Sequence, residues 1–287
     1  MMNILVTGAS GQLGSEVREN SIEFSRYNFF FEDSKSLDIT NFEKVKEVIK
    51  ENEIDVVINC AAYTVVDKAE FEELNAESVN SLGVQNLVSA LNGKGKLIHI
   101  STDYVFNGNS YEPYKEEDTV GPIGVYGKTK RLGEEHILNS EVESLIIRTS
   151  WVYSSFGNNF VKTMLRLGKE RNELYVIFDQ IGSPTYARDL AQVCLNAIDK
   201  DFSKLSKIYH YSNEGVASWY DFAKAIMEIS GINCKVKPIE TKEYPTPAKR
   251  PNYSLLNKSK IKKEFNITIP YWRDSLNDCI KKIEQNQ

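Results

Sequence analysis

The chain has 287 residues, of which 41% are hydrophobic, so it is long enough for one large core or for two domains that share an interface. Its formal charge of −5 and its pI near 5.5 argue against a nucleic-acid or anionic-membrane surface as the main partner, because those partners need a clustered positive field. No apolar run approaches the length that spans a bilayer.

The cysteines and the amino terminus both favour a cytoplasmic protein. The chain has no CxxC pair and no histidine at metal-ligand spacing, which predicts buried thiols in a reducing compartment. Met1 leads almost directly into NILVTG, which leaves no room for a secretory leader. We expect a monomer or a homodimer. The four cysteines are Cys60, Cys194, Cys234 and Cys279.

Short aliphatic runs alternate with helical patterns in the first half of the chain. In order, these are the strand NILVT, a helix from about Gln12, the strand NFFFED, the helix FEKVKEVIKE, the strand DVVINCA, the helix AESVNSLGVQNLVSAL, the strand KLIHIST, a helix containing Tyr126 and the run SLIIRTSWVY. Such alternation predicts βαβ units on a parallel sheet with helices on both faces. The predicted fold class is α/β, with a doubly wound (Rossmann) sheet in residues 1–150.

The alternation of strand and helix patterns becomes less regular after Trp151. This change predicts a smaller, mixed α/β substrate domain. NNFVKTMLRLGKE is typical of a helix capped by Asn158 or Asn159, and it is followed by LYVIF, YARDLAQVCLNAI, KIYHYS, SWYDFAKAIMEIS, KVKPIE and the loop EYPTPAKRPNYS. We expect residues 151–186 and 213–287 to form this domain. Residues 187–212 are expected to return to the first domain.

The first strand of the chain runs into a glycine-rich turn. ILVTGASGQLGSEV places Gly8, Gly11 and Gly14 between a strand and a helix, where a backbone without side chains approaches a pyrophosphate at the helix amino end. The turn therefore predicts dinucleotide binding. Its spacing is GxxGxxG rather than the common GxGxxG. The acidic residue expected at the end of the second strand, Glu32 or Asp33, favours NAD, whereas nearby Lys35 suits the 2′-phosphate of NADP, so the sequence leaves both coenzymes open.

Three side chains further along suit the reduction of a ketone. KLIHISTDYVF ends a buried-type strand in Ser101 and Thr102, at the edge of a doubly wound sheet where ligands bind. Tyr126 and Lys130 stand four apart on one helical face. A hydride delivered to a ketone creates an alkoxide that must receive a proton, and a nearby ammonium is expected to lower the tyrosine pKa. We predict that Thr102 orients the carbonyl, Tyr126 donates the proton and Lys130 tunes Tyr126 and reaches the cofactor ribose.

These motifs resemble the extended short-chain dehydrogenase/reductase superfamily, and nearly the whole chain is similar to its dTDP-4-dehydrorhamnose reductase family. The matching stretches include GASGQLG, VVINCAAYTVVDKAE, STDYVFNG, VYGKTKRLGEE, DQIGSPT and EYPTPAKRP. The resemblance implies an NADPH- or NADH-dependent enzyme. It would reduce the 4-keto group of dTDP-4-dehydro-6-deoxy-L-mannose to give dTDP-L-rhamnose.

The resemblance also implies roles for individual residues. The pyrophosphate would lie on Gly11, Gln12 and Leu13, the adenosine half near Asp38 and Ile39, and the rest of the cofactor along Ala61, Ala62 and Tyr63. Thr102, Asp103, Tyr126 and Trp151 would face the sugar, while Lys249 and Arg250 would neutralise its diphosphate or else form an exposed loop. Apart from the resemblance, Asp38 is interpreted as a helix cap, Tyr63 as a loop aromatic, Trp151 as core, and Asp67 and Lys68 as a pair on a solvated turn.

Neither metal-ligating nor catalytic histidines are expected. His99, His136 and His210 have no mutual spacing that indicates a metal site, so all three are interpreted as structural. The resemblance also raises the possibility of magnesium, which some members of that family are described as holding through glutamates between subunits. Glu16 fits part of that pattern, but Arg188 stands where a glutamate would be needed, so the sequence does not support the metal.

Three other functions compete with this interpretation. A sugar-nucleotide dehydratase would share the scaffold, but such enzymes carry an acid pair after the strand-end threonine, whereas here Tyr104 follows Asp103. A reductase of another dTDP-4-keto-6-deoxyhexose would differ in a few loop residues. A non-catalytic module, like the regulatory subunit of methionine adenosyltransferase, would not need an intact Thr102, Tyr126 and Lys130.

Overall fold

The computed structural model describes residues 1–205 and 207–286, so Ser206 and Gln287, which fall within the predicted domains, lie outside the described residues. Its strands are β1 (Met2–Thr7), β2 (Tyr27–Glu32), β3 (Val56–Asn59), β4 (Lys96–Thr102), β5 (Glu143–Thr149), β6 (Val152–Tyr153), β7 (Glu173–Ile177), β8 (Ile181–Gly182), β9 (Thr185–Tyr186), β10 (Ile208–His210), β11 (Ala217–Ser218) and β12 (Lys235–Ile239). Its helices are α1 (Gln12–Asn20), α2 (Phe42–Glu51), α3 (Val66–Ala69), α4 (Glu73–Glu77), α5 (Gly83–Leu91), α6 (Val125–Leu138), α7 (Phe160–Glu170), α8 (Ala187–Ala197), α9 (Trp219–Ser230), α10 (Ser259–Phe265) and α11 (Trp272–Gln285). No helix in the described ranges is long and apolar enough to cross a membrane.

The central sheet has six parallel strands in the order β10-β5-β4-β3-β1-β2. The chain moves outward from β1 to β2 and then returns to the other side of β1 with β3. The strand order therefore reverses at β1, and ligands of doubly wound sheets bind in the crevice at such a point. The predicted doubly wound α/β fold is confirmed.

Side chains of alternate residues in the sheet strands enter two different cores. Ile4 and Val6 face the core that α1, α8 and α10 complete. Leu5 points to the opposite face and packs in the core that α2 and α5 complete. Because successive side chains of a strand point to opposite faces, a short apolar run such as NILVT serves both layers.

A third core lies outside the central sheet, among α7, α9, α11 and the parallel pair β7 and β12. Asn159 caps α7 by accepting a hydrogen bond from the backbone N–H of Lys162 at 3.1 Å, so one of the two predicted caps is the observed one. Ser218 and Asp221 form a capping box that starts α9.

Three details of the chain differ from the predicted elements. The run SLIIRTSWVY is not one strand, because Trp151 has a φ of +49° and separates β5 from β6. The predicted helix from Ala76 begins at Glu73 and contains a π-helical turn over Ser78–Leu82. Helices α10 and α11 were not predicted at all.

Candidate active site

The glycine turn lies at the carboxyl end of β1, at the point where the strand order reverses. Gly8 has a φ of +65°, and an added Cβ would lie 2.6 Å from the Ala61 backbone nitrogen. The backbone N–H of Gly11 donates to the Gly8 carbonyl at 3.0 Å, and Gly11 precedes α1 without a side-chain cap. The first N–H groups of α1 therefore have no side-chain acceptor and suit an anionic group such as a pyrophosphate.

The third glycine of the turn brings α1 against β1. A Cβ on Gly14 would lie 2.4 Å from the Gly8 carbonyl oxygen and 2.6 Å from Ala9 Cα. We expect Gly14→Ala to push α1 away from the turn and to weaken NADPH binding about fivefold or more, since overpacking of this kind costs about 1–3 kcal/mol. A fluorescence titration with NADPH measures the effect. Gly121→Ala is the control, because its Cβ would approach no atom closer than 3.7 Å; equal affinities of the two variants would contradict the expectation.

Leu13 and Gln12, the residues between the second and third glycines of the turn, fix the start of α1 through their side chains. Leu13 is 8% exposed and packs in the core, so only its backbone is available to a ligand. Gln12 Oε1 accepts a hydrogen bond from Asn159 Nδ2 at 3.0 Å. The helix α7 that Asn159 caps is thereby tied to the turn.

Strand β4 ends beside β5, with Thr102 paired to Thr149. Thr102 is 4% exposed, and its hydroxyl donates to Asp103 Oδ1 at 3.0 Å. Burial raises the pKa of Asp103 to about 6. The other strand-end hydroxyl, that of Ser101, donates instead to the buried Glu134 at 2.6 Å. Of the two hydroxyls, that of Thr102 is the one beside Asp103 at the carboxyl edge.

Tyr126 and Lys130 lie on α6, and the Tyr126 ring packs edge-on against Tyr104 with 5.4 Å between centroids. Burial raises the pKa of Tyr126 to about 12, and a hydrogen bond with Thr102 opposes the rise. Lys130 is 1% exposed and donates to the Ile100 carbonyl at 2.6 Å, while burial lowers its pKa to about 8. The expected acidification of Tyr126 by Lys130 is therefore wrong for this structure, because burial dominates and the Lys130 nitrogen is held by the strand.

Lys130 also ends a buried chain of polar groups that sequence reasoning missed. Its Nζ lies 3.3 Å from His99 Nε2, and His99 Nδ1 lies 3.0 Å from Asn59 Nδ2. Asn59 Oδ1 accepts from the Thr7 hydroxyl at 2.7 Å and from the Ala61 N–H at 3.1 Å. His99 was interpreted as structural, yet it contacts a candidate catalytic residue. A single histidine within a strand carries no sequence signal for such a contact.

The other two histidines contact no candidate site residue in the described part of the chain. His136 Nε2 lies 3.1 Å from the hydroxyl of Ser81, a buried residue of the π-helical turn. His210 is fully buried in β10, and its Nδ1 lies 3.0 Å from the Tyr114 carbonyl, to which it can only donate. Burial lowers the pKa of His210 from 6.5 to about 3.

The pKa of His210 makes stability depend on pH. Below pH 6.5 the unfolded chain binds a proton that the folded chain does not bind until about pH 3, so folding becomes less favourable as the pH falls through this window. We expect His210 to contribute a loss of about 1.4 kcal/mol per pH unit well inside it. Urea unfolding at pH 4, 5, 6 and 7 gives the slope, and His210→Gln should reduce the slope by that amount. An equal slope in the variant would contradict the assignment.

The end of β2 and the loop after it were predicted to meet the adenosine half of the cofactor. Asp33 accepts hydrogen bonds from the backbone N–H groups of Lys35 and Ser36, which lower its pKa and hold a tight turn. Asp38 accepts from the N–H and hydroxyl of Thr40. Apart from the resemblance, Asp38 was interpreted as a helix cap. That interpretation is wrong, because Asn41 caps α2. Ile39 is 4% exposed and lies against Gly83, so only its backbone can face a cofactor.

The segment after β3 is fixed at both of its ends. Ala61 donates to Asn59 Oδ1, as described above, and Ala62 is partly buried. The Tyr63 hydroxyl donates to Glu72 Oε2 at 2.6 Å, and the Tyr63 N–H donates to Asn80 Oδ1 at 2.8 Å. Tyr63 is thus held by hydrogen bonds from both its backbone and its side chain, and it is not a free loop aromatic.

Trp151 stands where β5 ends, in the left-handed backbone region that bulky residues rarely adopt. Its ring stacks on Trp219 with 3.7 Å between centroids and 10° between planes. The indole of Trp151 also packs closely against Gly182, where an added Cβ would lie 2.9 Å from it. Trp151 and Trp219 are both partly buried, so part of the stacked pair is exposed.

Arg250 lies in the proline-rich loop and is held by Asp67 of α3. Its Nη1 and Nη2 lie 3.0 and 2.8 Å from the two Asp67 oxygens. The predicted pairing of Asp67 with Lys68 is therefore wrong, because Asp67 pairs with Arg250, 183 residues away. The loop is tied to the body of the protein, and the charge of Arg250 is already compensated by a carboxylate.

Glu16 is fully buried on α1 and has its own partners. Its Oε1 accepts from the Ser154 hydroxyl at 2.6 Å, and its Oε2 lies 3.1 Å from Lys282 Nζ. The ammonium of Lys282 thus compensates the carboxylate that was considered as a magnesium ligand. Among residues 1–205 and 207–286, no group of three or more His, Cys, Asp or Glu side chains is arranged to hold a metal ion.

The reversal of strand order, the glycine turn and the Thr102, Tyr126 and Lys130 group define an oxidoreductase of the short-chain dehydrogenase/reductase type. A family model described as the RmlD substrate binding domain matches residues 2–285. The dTDP-4-dehydrorhamnose reductase of Aggregatibacter actinomycetemcomitans is 43% identical over 287 residues, which cover 96% of this chain and 97% of the relative. The chain therefore belongs to the dTDP-4-dehydrorhamnose reductase family, and the predicted family and enzyme class are confirmed.

Two solved structures extend the similarity to the whole fold. A dTDP-4-dehydrorhamnose reductase from Clostridium acetobutylicum has a TM-score of 0.94 at 42% identity, covering 99% of this chain and all of that one. The enzyme of the same description from Bacillus anthracis, solved in complex with NADP, has a TM-score of 0.93 at 40% identity, covering 98% of this chain and all of that one.

Proposed function

We propose that this protein reduces the 4-keto group of dTDP-4-dehydro-6-deoxy-L-mannose with NADPH or NADH, giving dTDP-L-rhamnose, and that Tyr126 is the proton donor. The observation that carries the proposal is the meeting of three features at one edge of the sheet. These are the glycine turn after β1, the Thr102 hydroxyl at the end of β4, and Tyr126 in the first turn of α6. Membership of the reductase family supplies the substrate class.

The described residues fit a dinucleotide. A Cβ on Gly8 would fill the space against Ala61, and the first turn of α1 offers N–H groups without a side-chain cap. We propose that Gly8, Gly11, Gln12, Leu13 and Gly14 hold the pyrophosphate, largely through backbone groups. Asp38 and Ile39 would lie beside the adenosine half. Ala61, Ala62 and Tyr63 would follow the cofactor towards Tyr126 and Lys130.

The coenzyme preference follows from the turn after β2. Lys35 is exposed, while the Asp33 carboxylate is engaged by backbone N–H groups. An exposed cation next to a carboxylate that already accepts backbone hydrogen bonds suits the 2′-phosphate of NADPH better than a free ribose hydroxyl. The relative from Bacillus anthracis that was solved with NADP supports the same choice.

The chemistry divides between the cofactor and the protein. A bound reduced nicotinamide supplies hydride to the ketone carbon. The ketone oxygen gains charge at that moment, and the Tyr126 hydroxyl gives it a proton. Because the pKa of Tyr126 is about 12, the hydroxyl still holds this proton at neutral pH. Thr102 would orient the carbonyl, and Lys130, held by the Ile100 carbonyl, would meet the ribose.

The sugar nucleotide would lie between the dinucleotide-binding unit and the third core. We propose that residues 1–150 with about 187–212 bind the dinucleotide and that 151–186 with 213–287 bind the substrate. Asp103 and Trp151 would then contact the sugar. Arg250 would give up one of its two hydrogen bonds to Asp67 and donate to the diphosphate instead. The stacked indoles of Trp151 and Trp219 offer a rigid apolar wall to a deoxysugar.

The direct test mixes the purified protein with NADPH or NADH and dTDP-4-dehydro-6-deoxy-L-mannose. We expect oxidation of the nicotinamide in step with formation of dTDP-L-rhamnose, identified by NMR of the product. The C4 epimer as product would reassign the enzyme as a reductase of opposite stereochemistry, and turnover only with another dTDP-4-keto-6-deoxyhexose would reassign its substrate. Tight dinucleotide binding without turnover would instead support a non-catalytic module.

A further inference from the structure

The buried chain from Thr7 to Lys130 contains groups whose donor and acceptor roles are fixed by one backbone atom. Asn59 Oδ1 lies 3.1 Å from the Ala61 backbone nitrogen. A backbone N–H can only donate, so the oxygen of the Asn59 amide must face it. The amide nitrogen must then face His99, 3.0 Å from Nδ1.

The orientation of Asn59 sets the tautomer of His99. An amide nitrogen is a donor only, so His99 Nδ1 must accept, and a neutral imidazole then carries its proton on Nε2. His99 is fully buried, and burial holds its pKa well below 6.5, so the ring is neutral. Its Nε2–H points at Lys130 Nζ across 3.3 Å.

This arrangement distinguishes the two charge states of Lys130. An ammonium carries three donors and no acceptor, so it cannot accept a hydrogen bond from His99 Nε2–H. A neutral amine has one lone pair and can accept it. The Ile100 carbonyl, 2.6 Å from Nζ, takes one of the Lys130 protons in either state.

We propose that His99 is a positioning residue for Lys130: it holds an Nε2–H donor against the lysine nitrogen and so favours the neutral amine of Lys130 over the ammonium. This proposal rests on the proposed function, in which Lys130 would meet the ribose of the cofactor. It adds a role for His99 and for Asn59, which fixes the tautomer of His99. The Ala61 N–H in turn fixes the orientation of the Asn59 amide.

Other ionisable groups near Lys130 do not replace His99. Glu134, on the same helix, has its pKa lowered, with burial opposed by its hydrogen bonds to Arg148, Ser101 and Arg131, so it stays charged throughout the neutral range. Burial holds the pKa of Cys60 well above 9.0, so its thiol stays neutral. Burial raises the pKa of Tyr126 to about 12, so its hydroxyl stays neutral as well. His99 is thus the group whose tautomer distinguishes the amine from the ammonium.

The first test needs no activity. Nitrogen-15 NMR of histidine side chains distinguishes the Nε2–H from the Nδ1–H tautomer, and loss of one signal in His99→Phe assigns His99. We expect the Nε2–H tautomer at neutral pH in the unaltered protein. The Nδ1–H tautomer, or a charged ring, would overturn the proposal even if the protein proves to be an active reductase.

The second test inverts the tautomer. Asn59→Asp keeps the acceptor for Ala61 and replaces the donor to His99 by an oxygen, so His99 should move its proton to Nδ1 and present a lone pair to the Lys130 ammonium. We expect the alkaline limb of the pH profile of kcat/KM to move up by about one pH unit or more. In a His99→Phe background most of that shift should be lost, because only the direct effect of the new charge remains. A shift of equal size in both backgrounds would overturn the proposal.

Discussion

Tyr126→Phe is expected to lower turnover by about a hundredfold or more, because it removes the proposed proton donor while leaving the shape of the site unchanged. The affinity for NADPH should stay nearly constant, since the pyrophosphate is proposed to lie on the glycine turn after β1 and not on this hydroxyl. Single-turnover kinetics with a saturating dTDP-sugar measures the chemical step, and a fluorescence titration measures the coenzyme affinity.

The matched control is Tyr104→Phe. Tyr104 lies edge-on against Tyr126, and burial raises its pKa as well, so it offers a second phenol in the same environment. We expect this variant to keep turnover within a few-fold of the original value. If Tyr126→Phe kept most of its rate, or if both variants lost the same amount, the assignment of the proton donor would be wrong.

Glu134→Gln is expected to have the largest effect on stability. Glu134 and Arg148 are 0% and 1% exposed and form a two-point contact, with Arg148 Nε and Nη2 each 2.8 Å from a carboxylate oxygen. Removing the charge of Glu134 leaves the guanidinium buried and unpaired, which typically costs about 3–5 kcal/mol. Urea unfolding at neutral pH measures this loss of free energy.

The adjacent residue provides the comparison. Glu135 forms an ion pair with Arg131 at 3.1 Å, but its side chain is 45% exposed. We expect Glu135→Gln to change the free energy of unfolding by at most about 1 kcal/mol, because solvent screens such pairs. A cost for Glu134→Gln as small as that for Glu135→Gln would show that the buried pair does not anchor α6 to the sheet.

The sequence predicts the parts of the fold that depend on local periodicity. The alternation of aliphatic runs with helical patterns determines the parallel sheet, and Asn159 caps its helix because an amide oxygen can meet the first N–H groups there. The glycine turn is recognisable for the same reason, since only glycine tolerates the φ of Gly8 at that distance from Ala61.

Other features depend on partners that are distant in the sequence. Nothing local indicates that Asp67 would meet Arg250, or that a histidine within β4 would lie between Asn59 and Lys130. The pKa of Tyr126 was predicted to fall because the nearest cation in the sequence was taken as its partner. In the folded chain the ammonium of Lys130 donates to the Ile100 carbonyl, so desolvation is the main cause of the raised pKa of Tyr126.

The most direct test of the account is a crystal structure of the protein with NADP⁺ and dTDP-L-rhamnose. The account predicts that the Tyr126 hydroxyl lies about 2.6–3.2 Å from the oxygen on C4 of the sugar, with C4 facing the nicotinamide ring. A Tyr126 hydroxyl far from that oxygen, with another side chain in its place, would contradict it.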